Sequence, residues 1–115
     1  MPNMPGFQEA CQLAHEHGIA TRVGLHLVLT EGTPLSERMR RCRTFCDEEG
    51  KFCYVRNSRI FRLQESEKEA LTEEIHAQID QCRKHRLPLS HIDSHQHVHT
   101  EWAIGRILIR VAKEE

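Results

Sequence analysis

The chain reads as an α/β protein with parallel strands, and two observations predict it. Helical and strand-like segments alternate in the order helix, strand, helix, strand, helix. The first strand-like run, Arg22 to Leu29, is apolar at nearly every position, the pattern of a strand buried on both faces of a parallel sheet.

The elements follow in order. Phe7, Ala10, Cys11 and Ala14 fall at helical spacing behind Pro5, which suits a first turn, and Gly18 supplies a stop. The strand Arg22 to Leu29 comes next and contains His26. Glu31-Gly32-Thr33-Pro34 is turn chemistry and opens an irregular stretch to about Glu65. Connections of that length are usually functional or mobile. Ser66 with Glu69 forms a capping box for a second helix, and Leu71, Ile75, Ile79 and Cys82 make its apolar stripe. Arg83 to Arg86 place positive charge at its C-terminal end, and Pro88 blocks continuation. Leu89 to His95 then reads as a strand, with His91, Asp93 and His95 on one face and Ser90, Ile92 and Ser94 on the other. The last helix, about Glu101 to Lys113, carries Ile104, Ile107, Leu108 and Val111 at helical spacing. Two strands make no barrel, and no internal repeat supplies the missing sheet.

Composition narrows the function classes. The 115 residues, 38% hydrophobic and 29% charged, fit one globular unit or a piece of a larger one. A formal net charge of -1 provides no global basic field for nucleic acid. The longest apolar run, Leu25 to Leu29, is interrupted by His26 and is far shorter than the roughly 20 residues that cross a bilayer. Neither nucleic acid nor membrane is expected as a partner. Five cysteines, an odd number with no basic and apolar leader ahead of them, favour a reducing, cytoplasmic setting. Histidine is the outlier, at nine residues.

Four of those histidines and an aspartate lie at alternate positions in His91-Ile-Asp93-Ser-His95-Gln-His97-Val-His99. Imidazole is the commonest protein metal ligand, and in extended chain residues two apart point to one side. At roughly 3.3 Å per residue, one ion can reach only two or three neighbouring members. His95, at the strand exit, is the first candidate ligand. Asp93 is expected to support it or to contact substrate, and His97 to act as a supporting group or proton carrier. His91 lies too far back, and His99 reads equally as a surface imidazole. His26, a polar ring in an apolar strand, is either a core histidine bonded to a backbone carbonyl or a second ligand. Strands lie about 4.8 Å apart, so imidazoles from adjacent strand ends can share an ion. Cys42, Cys46 and Cys53 lack the paired spacing of a zinc site. The basic group Arg38, Arg40, Arg41 and Arg43 lacks interleaved aromatics and reads as a solvated loop face.

Val23-Gly24-Leu25-His26-Leu27, then Leu29-Thr30-Glu31-Gly32-Thr33-Pro34-Leu35, together with His91 through His99, resembles the YdjC-like carbohydrate deacetylases, which include chitooligosaccharide deacetylases. Met1-Pro-Asn-Met-Pro-Gly-Phe and Glu49-Gly50-Lys51-Phe52 lend weaker support. The resemblance implies an irregular (β/α) barrel of which residues 1–115 are a single fragment, with the first strand and the later half of the barrel outside it. It implies metal-dependent hydrolysis of N-acetyl groups from acetylated sugars or small chitooligosaccharides, with His26 and His95 as metal ligands. The third ligand would come from an Asp-Asp pair ending the first strand, ahead of Met1. The metal implied is Mg2+, although two imidazoles also suit Zn2+. A small carbohydrate is the partner implied, and a homodimer of the full-length protein is compatible with the resemblance. The isolated 115 residues are then expected to bind metal weakly and to lack useful deacetylase activity. Two alternatives stand beside this reading. One is a small His-rich metal-binding protein without catalysis, which would bind through residues 91–99 and tolerate His26→Ala. The other is a metal-dependent hydrolase for a different amide or ester.

Overall fold

Leu25–Leu27 forms strand β1 and Ile92–Ser94 forms strand β2, paired in parallel with Leu25 opposite Ile92, His26 opposite Asp93 and Leu27 opposite Ser94. This computed structural model describes residues 1–55 and 62–114. Around the sheet lie helices α1 (Phe7–Glu16), α2 (Glu37–Arg40), α3 (Glu65–Lys84) and α4 (Trp102–Glu114). The α/β class, the parallel pairing and the three long helices agree with the sequence reading, and α2 is an addition to it.

Both strands are shorter than the segments that predict them, Arg22 to Leu29 and Leu89 to His95. Val28 and Leu29 are fully buried, so the hydrophobic signal of a strand continues past Leu27. The ladder stops because the Val28 amide and carbonyl turn to the side chain of Gln78 on α3 in place of strand backbone. At the other end, Ala20–Arg22 is a turn of 3-10 helix, and backbone pairing begins with the Ser90 N–H on the Val23 carbonyl (3.4 Å).

Helix ends follow local chemistry. Gly18 adopts a φ of 66°, a left-handed conformation that costs glycine little, and the Ile19 N–H closes the end of α1 on the Ala14 carbonyl (2.9 Å). The capping box of α3 uses Gln64 and Glu67, not Ser66 and Glu69: the Gln64 N–H donates to the Glu67 carboxylate (2.6 Å). The helix starts at Glu65, which places Ser66 inside the first turn, and Glu69 is engaged by Arg38. The buried face of α3 comprises Ala70, Leu71, Glu74, Ile75, Gln78, Ile79 and Cys82. It includes the predicted apolar stripe and adds two polar residues. On α4 the buried set is the predicted Ile104, Ile107, Leu108 and Val111.

Residues 56–61 of the stretch read as irregular lie outside the described residues, and its described part contributes to the core. Met39 of α2, Phe45, Cys46, Phe52 and Tyr54 are buried, with the Phe45 and Tyr54 rings 5.1 Å apart. An antiparallel bridge joins Cys46 and Phe52. These residues, with Leu25, Leu27 and Leu29, the inner face of α3 and that of α4, form one hydrophobic cluster. Among the described residues, no helix is long and apolar enough to cross a membrane.

Candidate functional site

The sheet places its chemistry at one end. Alternation along β1 buries Leu25 and Leu27 and leaves His26 half-exposed between them. Its register partner is Asp93, and His26 Nδ1 donates to Asp93 Oδ1 at 2.8 Å. An ionised carboxylate is acceptor-only, so this bond puts the imidazole proton on Nδ1 and leaves the Nε2 lone pair free. His95, the first residue after β2, brings its ring to 5.6 Å from that of His26, edge to face. A second carboxylate completes the group: Glu31 Oε1 lies 2.9 Å from His95 Nε2. The site is thus two imidazoles in contact, each with its own carboxylate, at the C-terminal ends of two parallel strands. Strand ends are where α/β sheets hold reactive groups most rigidly.

The histidine run does not continue as extended chain. Gln96 (φ 52°) and His97 (φ 55°) are left-handed, costing roughly 1–2 kcal/mol each for residues with a Cβ. The buried Ser94 hydroxyl closes this reversal. It accepts the His99 N–H (3.1 Å) and lies 2.6 Å from His99 Nδ1. Alternate positions therefore stop sharing a side after Ser94. His99 folds back onto Ser94, and the ring of His97 stands against that of His99 at 6.0 Å. His91, just ahead of β2, bonds Ser90 Oγ (2.8 Å) and lies over Gly24, where a Cβ would collide with its ring. The expected sites thus divide. His26, Asp93 and His95 come together, whereas His97, His91 and His99 take other contacts.

Glu31 escapes the sequence reading because it sits in turn chemistry. Its signal is position, four residues beyond Leu27, the last residue of β1, on the strand's exit. The backbone there is tied down on both sides, with Asn3 Nδ2 donating to the Glu31 carbonyl (3.1 Å) and the Phe52 N–H to the Gly32 carbonyl (2.9 Å). Gly32, at φ 77°, makes the turn possible.

The donor set agrees in chemistry with a divalent ion. Metal-ligating histidines commonly give their other ring N–H to a carboxylate, as His26 does to Asp93. It is a partial set, since among the described residues no three His, Cys, Asp or Glu side chains converge as a group able to hold an ion. The cysteines do not alter this. All five are free, and burial pushes the Cys46 thiol up to about 12 and that of Cys82 to about 11, away from the thiolate that metals require. The loop arginines are used internally. Arg38 pairs with Glu69 and Glu73, Arg41 with Glu37, Arg40 with the Pro34 carbonyl and Arg43 with the Asp47 carbonyl.

Fold and site together define an α/β protein that gathers imidazole–carboxylate pairs at the ends of parallel strands. The chain belongs to the YdjC-like protein family, whose model it matches over residues 1–115. It is 39% identical over 114 residues to a carbohydrate deacetylase of Brevibacillus brevis, covering 99% of this chain and 43% of that protein. A carbohydrate deacetylase of Vibrio parahaemolyticus is 36% identical, again over 99% of this chain and 43% of the relative. One from Halalkalibacterium halodurans is 31% identical, covering 99% and 46%. The chain therefore spans less than half the length of these curated relatives.

Proposed function

We propose that this chain supplies part of the active site of a metal-dependent carbohydrate deacetylase, acting on N-acetyl groups of acetylated sugars or small chitooligosaccharides. Residues 1–115 form one piece of an irregular (β/α) barrel, and β1 and β2 are two of its parallel strands. The observation that carries the proposal is the approach of His26 and His95 from adjacent strand ends, with Asp93 fixing the tautomer of His26. Family membership and the names of the relatives supply the substrate class.

His26 and His95 would hold the ion, Mg2+ by resemblance or Zn2+ by ligand preference. Such an ion, when bound, lowers the pKa of water and polarises an acyl oxygen. Asp93 keeps the His26 Nδ1 proton in place, so that Nε2 faces the site as a lone pair. Glu31 holds the His95 ring by its Nε2 edge. His97, exposed on the same turn, is available as a proton carrier to the rim of the site. Further donors come from segments that the relatives have and residues 1–115 do not contain.

The test is calorimetric titration of the chain with Mg2+ and with Zn2+, beside His26→Ala and His95→Ala, together with acetate release from N-acetylglucosamine oligomers. Weak binding that either substitution abolishes is the expected result, with acetate release at background. Binding that survives both substitutions overturns the ligand assignment. Robust acetate release overturns the view that the site is completed from elsewhere. A self-contained His-rich chelator is disfavoured by the same geometry, because the turn at Gln96 and His97 separates the members of the run.

A further inference from the structure

Two polar side chains lie fully buried in α3, Glu74 and Gln78, both with 0% exposure. Their hydrogen bonds go elsewhere than to the imidazole pair. Gln78 uses its whole amide: its Oε1 accepts the Val28 N–H (3.2 Å), while Nε2 donates to the Val28 carbonyl (2.8 Å) and to Glu74 Oε1 (2.8 Å). Glu74 accepts the Leu35 N–H on Oε1 (3.1 Å) and the Ser36 N–H on Oε2 (2.8 Å). One residue thus grips the chain as it leaves β1, and the other grips it seven and eight residues later. Between the two grips lies Glu31.

Burying two polar residues side by side in a helix face is expensive unless every group is satisfied, and an apolar pair would fill the same space without that requirement. What the polar pair adds is direction. A Gln bonded to both the N–H and the C=O of one residue fixes that peptide as a neighbouring strand would. A carboxylate spanning two consecutive amides fixes the other end. We propose that Glu74 and Gln78 are positioning residues, which clamp the segment from Val28 to Ser36 so that the Glu31 carboxylate meets His95 Nε2. The proposal rests on reading the His26–His95 strand ends as the working site.

The test reads the His95 ring itself, without metal or substrate. In the 115-residue chain labelled with 15N-imidazole histidine, the tautomer of His95 is measured by NMR at about pH 9, where free imidazole is neutral. A bond from Nε2–H to Glu31 favours the Nε2–H form, and Glu31→Ala, which leaves no side-chain acceptor, should shift the tautomer ratio by roughly three- to ten-fold, the reach of one net hydrogen bond. Glu74→Gln should reproduce that shift with Glu31 present and add nothing to it in the Glu31→Ala background. Leu71→Ala, which truncates the same helix face, should leave the ratio unchanged although it lowers stability. Should Glu74→Gln fail to fold, Gln78→Met, which releases the Val28 end and removes the donor to Glu74 Oε1 but leaves the Leu35 and Ser36 bonds to Glu74, is read in the same way. A wild-type His95 ratio retained in the clamp variants overturns the proposal and leaves Glu74 and Gln78 as core residues only. A ratio insensitive to Glu31→Ala overturns it through the contact itself, whatever the deacetylase assay gives.

Discussion

Glu74 and Asp93 are both carboxylates paired with a nitrogen donor, and they show two uses of one chemistry. Glu74 is sealed in the core, where backbone amides and an amide side chain take both of its oxygens. Asp93 is 57% exposed and holds one edge of an imidazole whose other nitrogen remains free. The first arrangement leaves nothing over for chemistry and spends its bonds on shape. The second is incomplete by design, since an open nitrogen in partial contact with solvent can take a ligand or a proton. Burial and saturation, more than residue type, separate the structural carboxylate from the reactive one.

The sharpest way to break this comparison is to remove the buried member. Glu74→Ala strands the Leu35 and Ser36 N–H groups and one Gln78 N–H in the core, and should cost about 3–5 kcal/mol in urea unfolding. A loss below about 1 kcal/mol would show that water or relaxation replaces the carboxylate easily. The pH dependence has a definite sign. Burial raises the Glu74 pKa above its ordinary value, against the smaller opposing effect of its hydrogen bonds. The folded protein therefore keeps the Glu74 proton to higher pH than the unfolded chain does. The contribution of this group to stability is greatest below the ordinary carboxylate range and declines as pH rises toward the raised value, because the unfolded state then releases its proton first. Glu74→Gln should remove that decline, read as the difference between wild-type and variant unfolding free energies across the acid range.

Which parts of this were legible in the sequence follows the same division. The apolar stripe Leu71, Ile75, Ile79 and Cys82 announces α3, and the same pattern finds α1 and α4, because periodic burial is a local signal. Strand lengths are not local. The run from Arg22 to Leu29 looks continuous, but the ladder ends where a side chain from α3, fifty residues away, takes over the Val28 peptide. His26, Asp93 and His95 were visible as chemistry out of place in apolar or strand context. Glu31 was hidden in a turn and Glu74 in a helix face that periodicity expects to be mostly apolar. The alternation of the histidine run promised a common side, and two left-handed residues cancel that promise after Ser94.

At the open pair, effects on binding should exceed effects on folding. The His26 side chain is 39% exposed, so His26→Ala should change unfolding free energy by less than about 1 kcal/mol. Under the proposed function it should nevertheless weaken metal binding by about 100-fold or more, seen by calorimetry. Asp93→Asn should be milder. The amide can still accept from Nδ1–H, but it presents half the acceptor capacity and no charge, and loss of an outer carboxylate typically costs about 10- to 100-fold in metal affinity. If His26→Ala destabilises as much as Glu74→Ala, the imidazole is a core group and the contrast between the two regions collapses.

The smallest effect tests whether burial really makes the difference, because the segment following β1 has a second attachment to α3. Arg38 of α2 reaches Glu69 and Glu73 on the same helix that carries Glu74, but these side chains are about half exposed. Both tethers tie the chain at α2, one at its start and one within it, to α3, and both use glutamate. Water competes for the outer one, salt screens it, and two long side chains lose rotamer freedom to make it, so exposed pairs of this kind contribute about 0–1 kcal/mol. Arg38→Ala should therefore lower the unfolding free energy by less than about 1 kcal/mol, with the deficit shrinking at high salt, while Glu74→Ala keeps its full cost under both conditions. A salt-independent loss from Arg38→Ala comparable to that from Glu74→Ala would mean that α2 is held from outside. The buried clamp would then be one support among several for the segment that carries Glu31.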